Sequence, residues 1–355
     1  GIVGLPNVGK STLFNALTKS NILAANYPFA TIEPNTGVVP VPDSRLKSLA
    51  DLYKTNNIVP ATVTFVDIAG LVAGASQGEG LGNQFLSHIR GVNAIVQVVR
   101  AFDDPNVTHV DDAHKPQKDI DVINTELVLA DLQTIEKRLS RLDKEVKANP
   151  KLGELKDQVL EIKNTLDAGV PLWNRPELLS ENINELQLLT TKRIIYLFNL
   201  DEATLSDSAK QASLATLVTP APALFVNAKL EDELKDLEDY DQKELLASFG
   251  QEESGLHQLI KAAYECLGLQ SFLTAGEKEV KAWTVKKGVT AKEAAGTIHK
   301  DFEKGFIAAD IVDFDDLVSA GSFTEARSAG KVRTEGKDYV MQSNDVVLFK
   351  FNVSK

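Results

Sequence analysis

The chain has 355 residues, of which 43% are apolar and 25% are charged, which gives room for two or three domains and the balance of a soluble globular protein. Its single cysteine, Cys266, excludes an intramolecular disulfide, and the lack of a long apolar run argues against a membrane span. The formal charge of −12 argues against sequence-independent binding of nucleic acid over the whole surface and leaves room only for a local basic patch.

Short apolar runs alternate with glycine-rich turns and helices in the N-terminal part of the chain, and the same rhythm returns further on. This alternation predicts an α/β domain with a parallel sheet that is interrupted in the sequence. Because the chain begins inside a strand-like run, we expect a few residues to precede Gly1. The predicted strands are residues 2–3, 63–66, 94–99, 194–198 and 223–226, followed by a helix over residues 255–267.

The interruption contains two segments in which apolar residues recur at spacings of three and four. They predict two helices with heptad-like seams, and Asn149 and Pro150 separate them. The short turn favours an antiparallel helical hairpin, although two ordinary packed helices explain the pattern nearly as well. The seam residues are Leu132, Ile135, Leu139, Leu142 and Val146 in one segment and Leu152, Leu155, Val159, Ile162 and Leu166 in the other.

After Leu269 the pattern changes to that of a small α+β module. A strand is predicted over residues 279–286, and Thr290 and Glu293 form a capping box that opens a helix. Further strands are predicted over residues 307–312 and 346–353.

Residues 4–11 read Gly-Leu-Pro-Asn-Val-Gly-Lys-Ser, which matches the phosphate-binding loop pattern between a strand and a helix. Backbone N–H groups of such a loop surround phosphate oxygens at a helix N-terminus. Lys10 brings a charge to the β- and γ-phosphates, and the Ser11 hydroxyl is a candidate ligand for Mg²⁺. The candidate phosphate-binding residues are Asn7, Val8, Gly9, Lys10, Ser11 and Thr12.

Asp67 and Gly70 form a D-x-x-G motif directly after the predicted strand 63–66. A carboxylate at this strand end is typical of a Mg²⁺ site. The backbone amide of the glycine is typical of a group that senses the γ-phosphate. Thr31 is a second candidate Mg²⁺ ligand, with Thr36 as its rival. The many glycines of residues 70–83 favour a nucleotide-dependent switch segment, and a long surface loop is compatible with it.

The base-reading motif departs from that of guanine-binding proteins. Small GTPases use N-K-x-D after a strand, whereas this chain has Asn199, Leu200, Asp201 and Glu202. A misplaced carboxylate leaves the guanine edge poorly paired, so we expect weak guanine selectivity and a preference for adenine. The candidate base-binding residues are Asn199, Leu200, Glu202, Asn227 and Ala228.

Position 71, which normally carries the glutamine that orients the attacking water, is Leu71. Hydrolysis then needs another group. Asn7 is a candidate ligand for a K⁺ ion near the phosphates, and His109 is a candidate catalytic residue alongside Lys10. A structural surface role is the alternative for His109.

Together, the phosphate loop, the glycine-rich segment 70–83 and the Asn199–Glu202 motif resemble those of the Obg-like ATPases, the YchF family of P-loop GTPases. The resemblance covers the entire chain. It implies an α/β P-loop G domain with a mainly parallel sheet, an inserted coiled-coil hairpin and a C-terminal α+β domain of the β-grasp (TGS) type. It also implies ATP hydrolysis in preference to GTP, Leu71 as the hydrophobic substitution for the switch glutamine, and association with ribosomal subunits, while the Mg²⁺ cofactor is inferred from Ser11, Asp67 and Thr31.

On this basis we expect a split G domain over residues 1–121 and 190–268, a helical insertion over 122–189 and a TGS domain over 270–355. The expected protein is a cytoplasmic, monomeric, ribosome-associated ATPase without a membrane partner. The alternatives are a conventional GTPase and an RNA- or ribosome-binding adaptor with incidental turnover. One arm of the hairpin is locally basic, which suits rRNA phosphates, although its interleaved acids suit a solvated helix face. The basic residues are Lys137, Arg138, Arg141, Lys144, Lys147 and Lys151.

Overall fold

The computed structural model describes residues 1–19, 35–69, 81–102 and 115–352. The strands are β1 (Ile2–Val3), β2 (Thr36–Pro40), β3 (Ile58–Val59), β4 (Thr62–Val66), β5 (Ala94–Ala101), β6 (Arg193–Leu200), β7 (Ala223–Val226), β8 (Leu269–Ala275), β9 (Val280–Lys286), β10 (Phe306–Asp313), β11 (Arg333–Glu335) and β12 (Asp345–Phe351).

Helices separate many of these strands along the chain, and the longest described helix lies between β5 and β6. The helices are α1 (Lys10–Lys19), α2 (Ser44–Tyr53), α3 (Leu81–Gly91), α4 (Pro116–Ala148), α5 (Gly153–Asp167), α6 (Glu181–Asn184), α7 (Glu202–Leu205), α8 (Ser208–Thr216), α9 (Ala228–Leu234), α10 (Asp239–Ser248), α11 (Gly255–Cys266), α12 (Ala291–Ile298), α13 (Lys300–Lys304), α14 (Phe314–Ala320) and α15 (Phe323–Ser328).

The described chain divides into two compact units. Unit 1 comprises Gly1–Gly37 and Thr64–Leu259, and unit 2 comprises Val38–Val63 and Ile260–Lys355. The sequence analysis did not predict that residues 38–63 group with the C-terminal part of the chain. The predicted domain boundaries therefore stay predictions.

Unit 1 contains a four-stranded parallel sheet in the order β1-β5-β6-β7. Its strands are almost continuously apolar because helices cover a parallel sheet on both faces. The burial pattern agrees, since seven of the eight residues of β6 are buried. The predicted α/β fold with a parallel sheet is confirmed.

The helical insertion is an antiparallel pair formed by α4 and α5, and a 3₁₀ turn over Pro150–Leu152 connects them. The side chain of Asn149 accepts a hydrogen bond from Lys151 N at 3.3 Å and so caps this turn. Eight of the ten predicted seam residues belong to one apolar core, and the half-buried Val146 and Leu152 do not. The core includes Ile135, Leu142, Val159, Ile162 and Leu166, with Leu132, Leu139 and Leu155 packed against it.

A buried aspartate fastens the base of this hairpin. Asp131 of α4 accepts hydrogen bonds from Leu189 N at 2.7 Å, Thr190 N at 2.8 Å and Thr190 Oγ1 at 2.6 Å. Burial raises the pKa of Asp131, and the three donors act in the opposite direction.

We predict that Asp131→Ala lowers the free energy of unfolding by about 3 kcal/mol, because three buried donors lose their acceptor. Urea denaturation of the full chain measures this loss. Asp131→Asn retains one acceptor oxygen and should cost less. Equal stability of the alanine variant and the original protein would contradict the assignment.

Unit 2 contains a six-stranded mixed sheet in the order β11-β10-β12-β8-β9-β3. The antiparallel pair β8 and β9, the parallel step from β8 to β12 and the helix α12 on one face form the β-grasp arrangement. The predicted capping box is present: Thr290 N donates to Glu293 Oε2 at 2.9 Å, and Glu293 N donates to Thr290 Oγ1 at 3.4 Å.

Candidate nucleotide site

The loop between β1 and α1 has the tight backbone that a phosphate cradle needs. Asn7 and Gly9 have left-handed φ angles of 63° and 93°. A methyl group on Gly9 would lie 2.3 Å from Asn199 Nδ2, and one on Gly4 would lie 2.9 Å from Val8 Cγ2. Both glycines are therefore required by close approach. The loop leads into the N-terminus of α1, where backbone N–H groups attract anions.

Asp67 lies beside this loop because the end of β4 joins β1. Ile68 N donates to Ile2 O at 3.1 Å, and Ile2 and Asp67 form a parallel bridge. The Lys10 ammonium group contacts Asp67 Oδ1, with only 11% of the lysine side chain and 18% of the aspartate side chain exposed. The fold thus brings together the cation and the carboxylate that the sequence assigned to phosphate and to Mg²⁺.

The oxygen donors at this place fit Mg²⁺. The candidate ligands are the hydroxyl of Ser11, which follows Lys10 in the first turn of α1, and the carboxylate of Asp67, which contacts Lys10. Both are hard oxygen ligands of the kind that Mg²⁺ takes together with substrate phosphates and waters. Among the described residues, no group of three or more His, Cys, Asp or Glu side chains forms a metal site of its own.

Asn199, at the carboxyl end of β6, bridges the phosphate loop and the loop after β7. Its Nδ2 donates to Val8 O at 3.0 Å, and its Oδ1 accepts from Ala228 N at 3.0 Å. The side chain is buried. Its amide oxygen is therefore already committed to protein, and the residue shapes the cleft by joining two of its walls.

Asn227 stabilises the same region from the next strand. Its Oδ1 accepts from Leu230 N and caps α9, and its Nδ2 donates to Leu200 O, both at 2.8 Å. Asp201 caps α7 in the same way by accepting from Thr204 N at 2.7 Å. Glu202 is the first residue of α7 and is exposed.

These residues surround one cleft of about 730 Å³. The candidate residues on its wall are Asn7, Gly9, Thr12, Asn199, Leu200, Glu202, Asn227 and Ala228. All five base-binding candidates and three of the six phosphate-binding candidates therefore line one cleft, as a single nucleotide site requires, whereas Val8, Lys10 and Ser11 are not among its lining residues.

The cleft also has an aromatic wall that the sequence analysis missed. Phe102 follows β5 and lines the cleft. The guanidinium carbon of Arg100 lies 4.5 Å from the Phe102 ring centroid, and Arg100 Nε donates to Phe102 O at 3.1 Å. The sequence feature that could have identified Phe102 is its position directly after β5. This strand pairs with β6, and Ala101 and Leu200 are register partners.

Four candidate residues lie outside the described residues, namely Thr31, Gly70, Leu71 and His109, and so do residues 70–80 of the predicted switch segment. Their predicted roles as Mg²⁺ ligand, γ-phosphate sensor, substitute for the switch glutamine and catalytic group stay predictions. Thr36, the rival of Thr31, is described as the first residue of β2.

Comparisons with known proteins agree with this geometry. A family model described as a 50S ribosome-binding GTPase matches residues 1–147, and the model YchF-GTPase_C, a protein of unknown function (DUF933), matches residues 269–352. The ribosome-binding ATPase YchF of Bacillus subtilis is 48% identical over 362 residues, covering 99% of each chain, and that of Haemophilus influenzae is 48% identical over 360 residues with the same coverage. The chain belongs to the YchF family.

A solved YchF structure shows the same fold. The YchF GTPase of Schizosaccharomyces pombe is 39% identical, with a TM-score of 0.85 over 99% of this chain and 97% of that one. The predicted resemblance to the YchF family and the predicted fold class are confirmed. Among the helices of the described residues, none is both long and apolar enough to cross a membrane.

Behind the cleft of this YchF-family chain lies a buried carboxylate, Glu231 of α9. It accepts a hydrogen bond from Gly255 N at 2.7 Å, and its side chain is buried. Burial raises the pKa of Glu231 to about 7, against an ordinary value of 4.5, while the backbone donors of Gly255 and Leu256 act in the opposite direction.

This shift predicts a pH-dependent stability. The folded state holds a proton that the unfolded state releases between pH 4.5 and about 7, so the free energy of unfolding falls as the pH rises through that window. The loss is roughly 3 kcal/mol at most. Urea denaturation at the two ends of this pH window should show the loss of stability in the original protein and in the control Glu233→Gln. The loss should be absent from Glu231→Gln. Parallel pH profiles for the three proteins would contradict the prediction.

Proposed function

We propose that this chain is a Mg²⁺-dependent nucleotide hydrolase that prefers ATP to GTP and acts as a ribosome-associated molecular switch. The observation that carries the proposal is one cleft that Asn7 and Gly9 of the phosphate loop line together with Asn199, whose side chain also hydrogen-bonds to Val8 O of that loop. Backbone N–H groups and Lys10 suit the phosphates, and Ser11 and Asp67 suit Mg²⁺.

The preference for ATP is inferred from the base side of the cleft. Leu200 and Glu202 line it at positions where guanine-binding proteins have lysine and aspartate. Apolar contact from Leu200 and Phe102 suits either purine, whereas a guanine edge needs a carboxylate at a fixed distance. The side chain of Glu202 is one methylene longer than that of aspartate, so it should reduce the affinity for guanine more than the affinity for adenine.

Hydrolysis in this proposal depends on positioning and charge. The bound Mg²⁺ would neutralise charge that develops on the phosphate oxygens. Lys10 adds a second positive charge and orients the γ-phosphate, and the loop backbone fixes the β-phosphate. His109, or a K⁺ ion held by Asn7, stays the proposed substitute for the missing switch glutamine.

The ribosome is proposed as partner because the curated relatives carry ribosome binding in their names. The hairpin offers exposed cations for RNA phosphates at Lys137, Arg141, Lys144 and Lys147. Part of the basic arm is neutralised, since Arg138 pairs with Glu145 at 3.0 Å. An adaptor with incidental turnover is the second candidate, and it shares this surface.

The deciding experiment is cross-competition of ATP and GTP against a fluorescent ATP analogue in Mg²⁺. We expect at least a tenfold preference for ATP, about 1.4 kcal/mol. Glu202→Asp should shift the preference toward GTP, and Glu244→Asp, on the exposed surface of α10, should leave it unchanged. Equal affinity, or a GTP preference in the original protein, would favour a conventional GTPase.

Sedimentation with ribosomal subunits separates the switch from the adaptor. A switch binds ribosomes with different affinity in the presence of a non-hydrolysable ATP analogue and of ADP, because each ligand stabilises its own state. An adaptor with incidental turnover binds equally in both. Single-turnover hydrolysis with and without ribosomes gives a second measure, since a switch is expected to respond to its partner.

A further inference from the structure

Helix α9 is held from two sides. On the cleft side, Ala228 N donates to Asn199 Oδ1, and Ala228, Lys229 and Asp232 line the cleft. On the other side, the Glu231 carboxylate accepts from Gly255 N at 2.7 Å, the first residue of α11. Leu256 N and the Ser254 hydroxyl also hydrogen-bond to this carboxylate.

The start of α11 is in turn fixed against the sheet. A methyl group on Gly255 would lie 2.8 Å from Phe225 O of β7 and 3.0 Å from Val226 Cγ2. The backbone there cannot withdraw without opening this contact. A carboxylate at the N-terminus of α11 also meets the positive end of the helix dipole. Glu231 therefore joins α9 to a part of the molecule that is rigidly packed on the strand preceding Asn227.

From this geometry we infer that Glu231 is a positioning residue for the base loop, which we define as residues 227–229. Glu231 does not line the cleft. It sets where α9 begins, and thereby where Ala228 N meets Asn199 Oδ1 and where the cleft wall stands. The inference rests on the proposed function only in taking this wall as the base side of a nucleotide site.

The phosphate cradle does not depend on Glu231 in the same way. It is fixed by β1, by the close packing at Gly4 and Gly9, by the hydrogen bond from Asn199 of β6 to Val8 O and by the Lys10–Asp67 contact. Loss of Glu231 should therefore weaken interactions with the base and ribose and spare interactions with the phosphates. A ligand that consists of phosphates alone distinguishes the two.

The experiment is isothermal titration of the full chain in Mg²⁺ with ADP, GDP and inorganic tripolyphosphate. For Glu231→Ala we expect about a tenfold loss of affinity for the preferred nucleoside diphosphate and less than about a twofold change for tripolyphosphate. Glu231→Gln keeps one acceptor oxygen, so the loss should be about threefold. The control is Glu244→Ala, which removes an exposed glutamate of α10 and should change the affinity for neither ligand.

Unchanged nucleotide affinity in a folded Glu231 variant would overturn the inference, and so would an equal loss for nucleotide and tripolyphosphate. If the alanine variant does not fold, the glutamine variant and its threefold difference decide. A preference of the original protein for GDP would instead contradict the proposed ATP preference. The comparison of nucleotide with tripolyphosphate would still test Glu231.

Discussion

Lys10→Ala should lower single-turnover nucleotide hydrolysis by about a thousandfold, the range seen when one preorganised donor to a developing charge is lost. Nucleotide affinity should fall by about a hundredfold, or roughly 3 kcal/mol, because a charge-assisted contact to phosphate disappears. The Asp67 carboxylate then also loses the cation beside it.

Quench-flow hydrolysis and isothermal titration measure the two effects. Lys10→Arg keeps the charge and changes the shape of the head group, so it should recover part of the binding and little of the rate. Lys210→Ala, on the exposed surface of α8, is the control for the loss of one positive charge. A Lys10→Ala protein that hydrolyses nucleotide normally would exclude the phosphate loop as the catalytic site.

Much of the nucleotide site was predictable because its signals are local. The phosphate loop lies within residues 4–11, and its left-handed positions fall on Asn7 and Gly9. The hairpin seam was predictable for the same reason, since the spacing of Ile135 and Leu142 directly reports one helix face. Caps at Asn149 and Thr290 also depend on residues only a few positions away.

The parts that were missed depend on contacts between distant residues. Strand β3 is only two residues long, and its assignment to unit 2 follows from the pairing of Ile58 with Val280. In the sequence, Asp131 is one of many polar residues of α4. Its role follows only from the structure, in which it accepts hydrogen bonds from the backbone of Leu189 and Thr190. No periodicity in the sequence indicates that a buried backbone donor pairs with an acceptor far away along the chain.

Asn199 shows the same limit at the site itself. Its position in the motif predicted contact with the base. In the structure, its amide oxygen accepts a hydrogen bond from Ala228 N and its amide nitrogen donates one to Val8 O. The motif correctly located the residue at the cleft, and only the fold revealed that it joins two walls. Its replacement should therefore affect phosphates and base together.

Asn199→Ala should weaken nucleotide binding by about a hundredfold, since Val8 O and Ala228 N both lose a buried partner. Asn199→Asp keeps the acceptor for Ala228 N but sets a carboxylate against the carbonyl of Val8, so its loss should be at least as large. Isothermal titration with nucleotide and with inorganic tripolyphosphate measures both variants. Affinity for tripolyphosphate should fall as well, because Val8 belongs to the phosphate loop.

Asn227→Ala is the matched comparison. It removes a buried amide that contacts Leu200 O and Leu230 N, and neither partner belongs to the phosphate loop. We therefore expect a loss for nucleotide without a loss for tripolyphosphate. If the two asparagine variants lose the same affinity for nucleotide and the same affinity for tripolyphosphate, the hydrogen bond from Asn199 to Val8 does not affect phosphate binding.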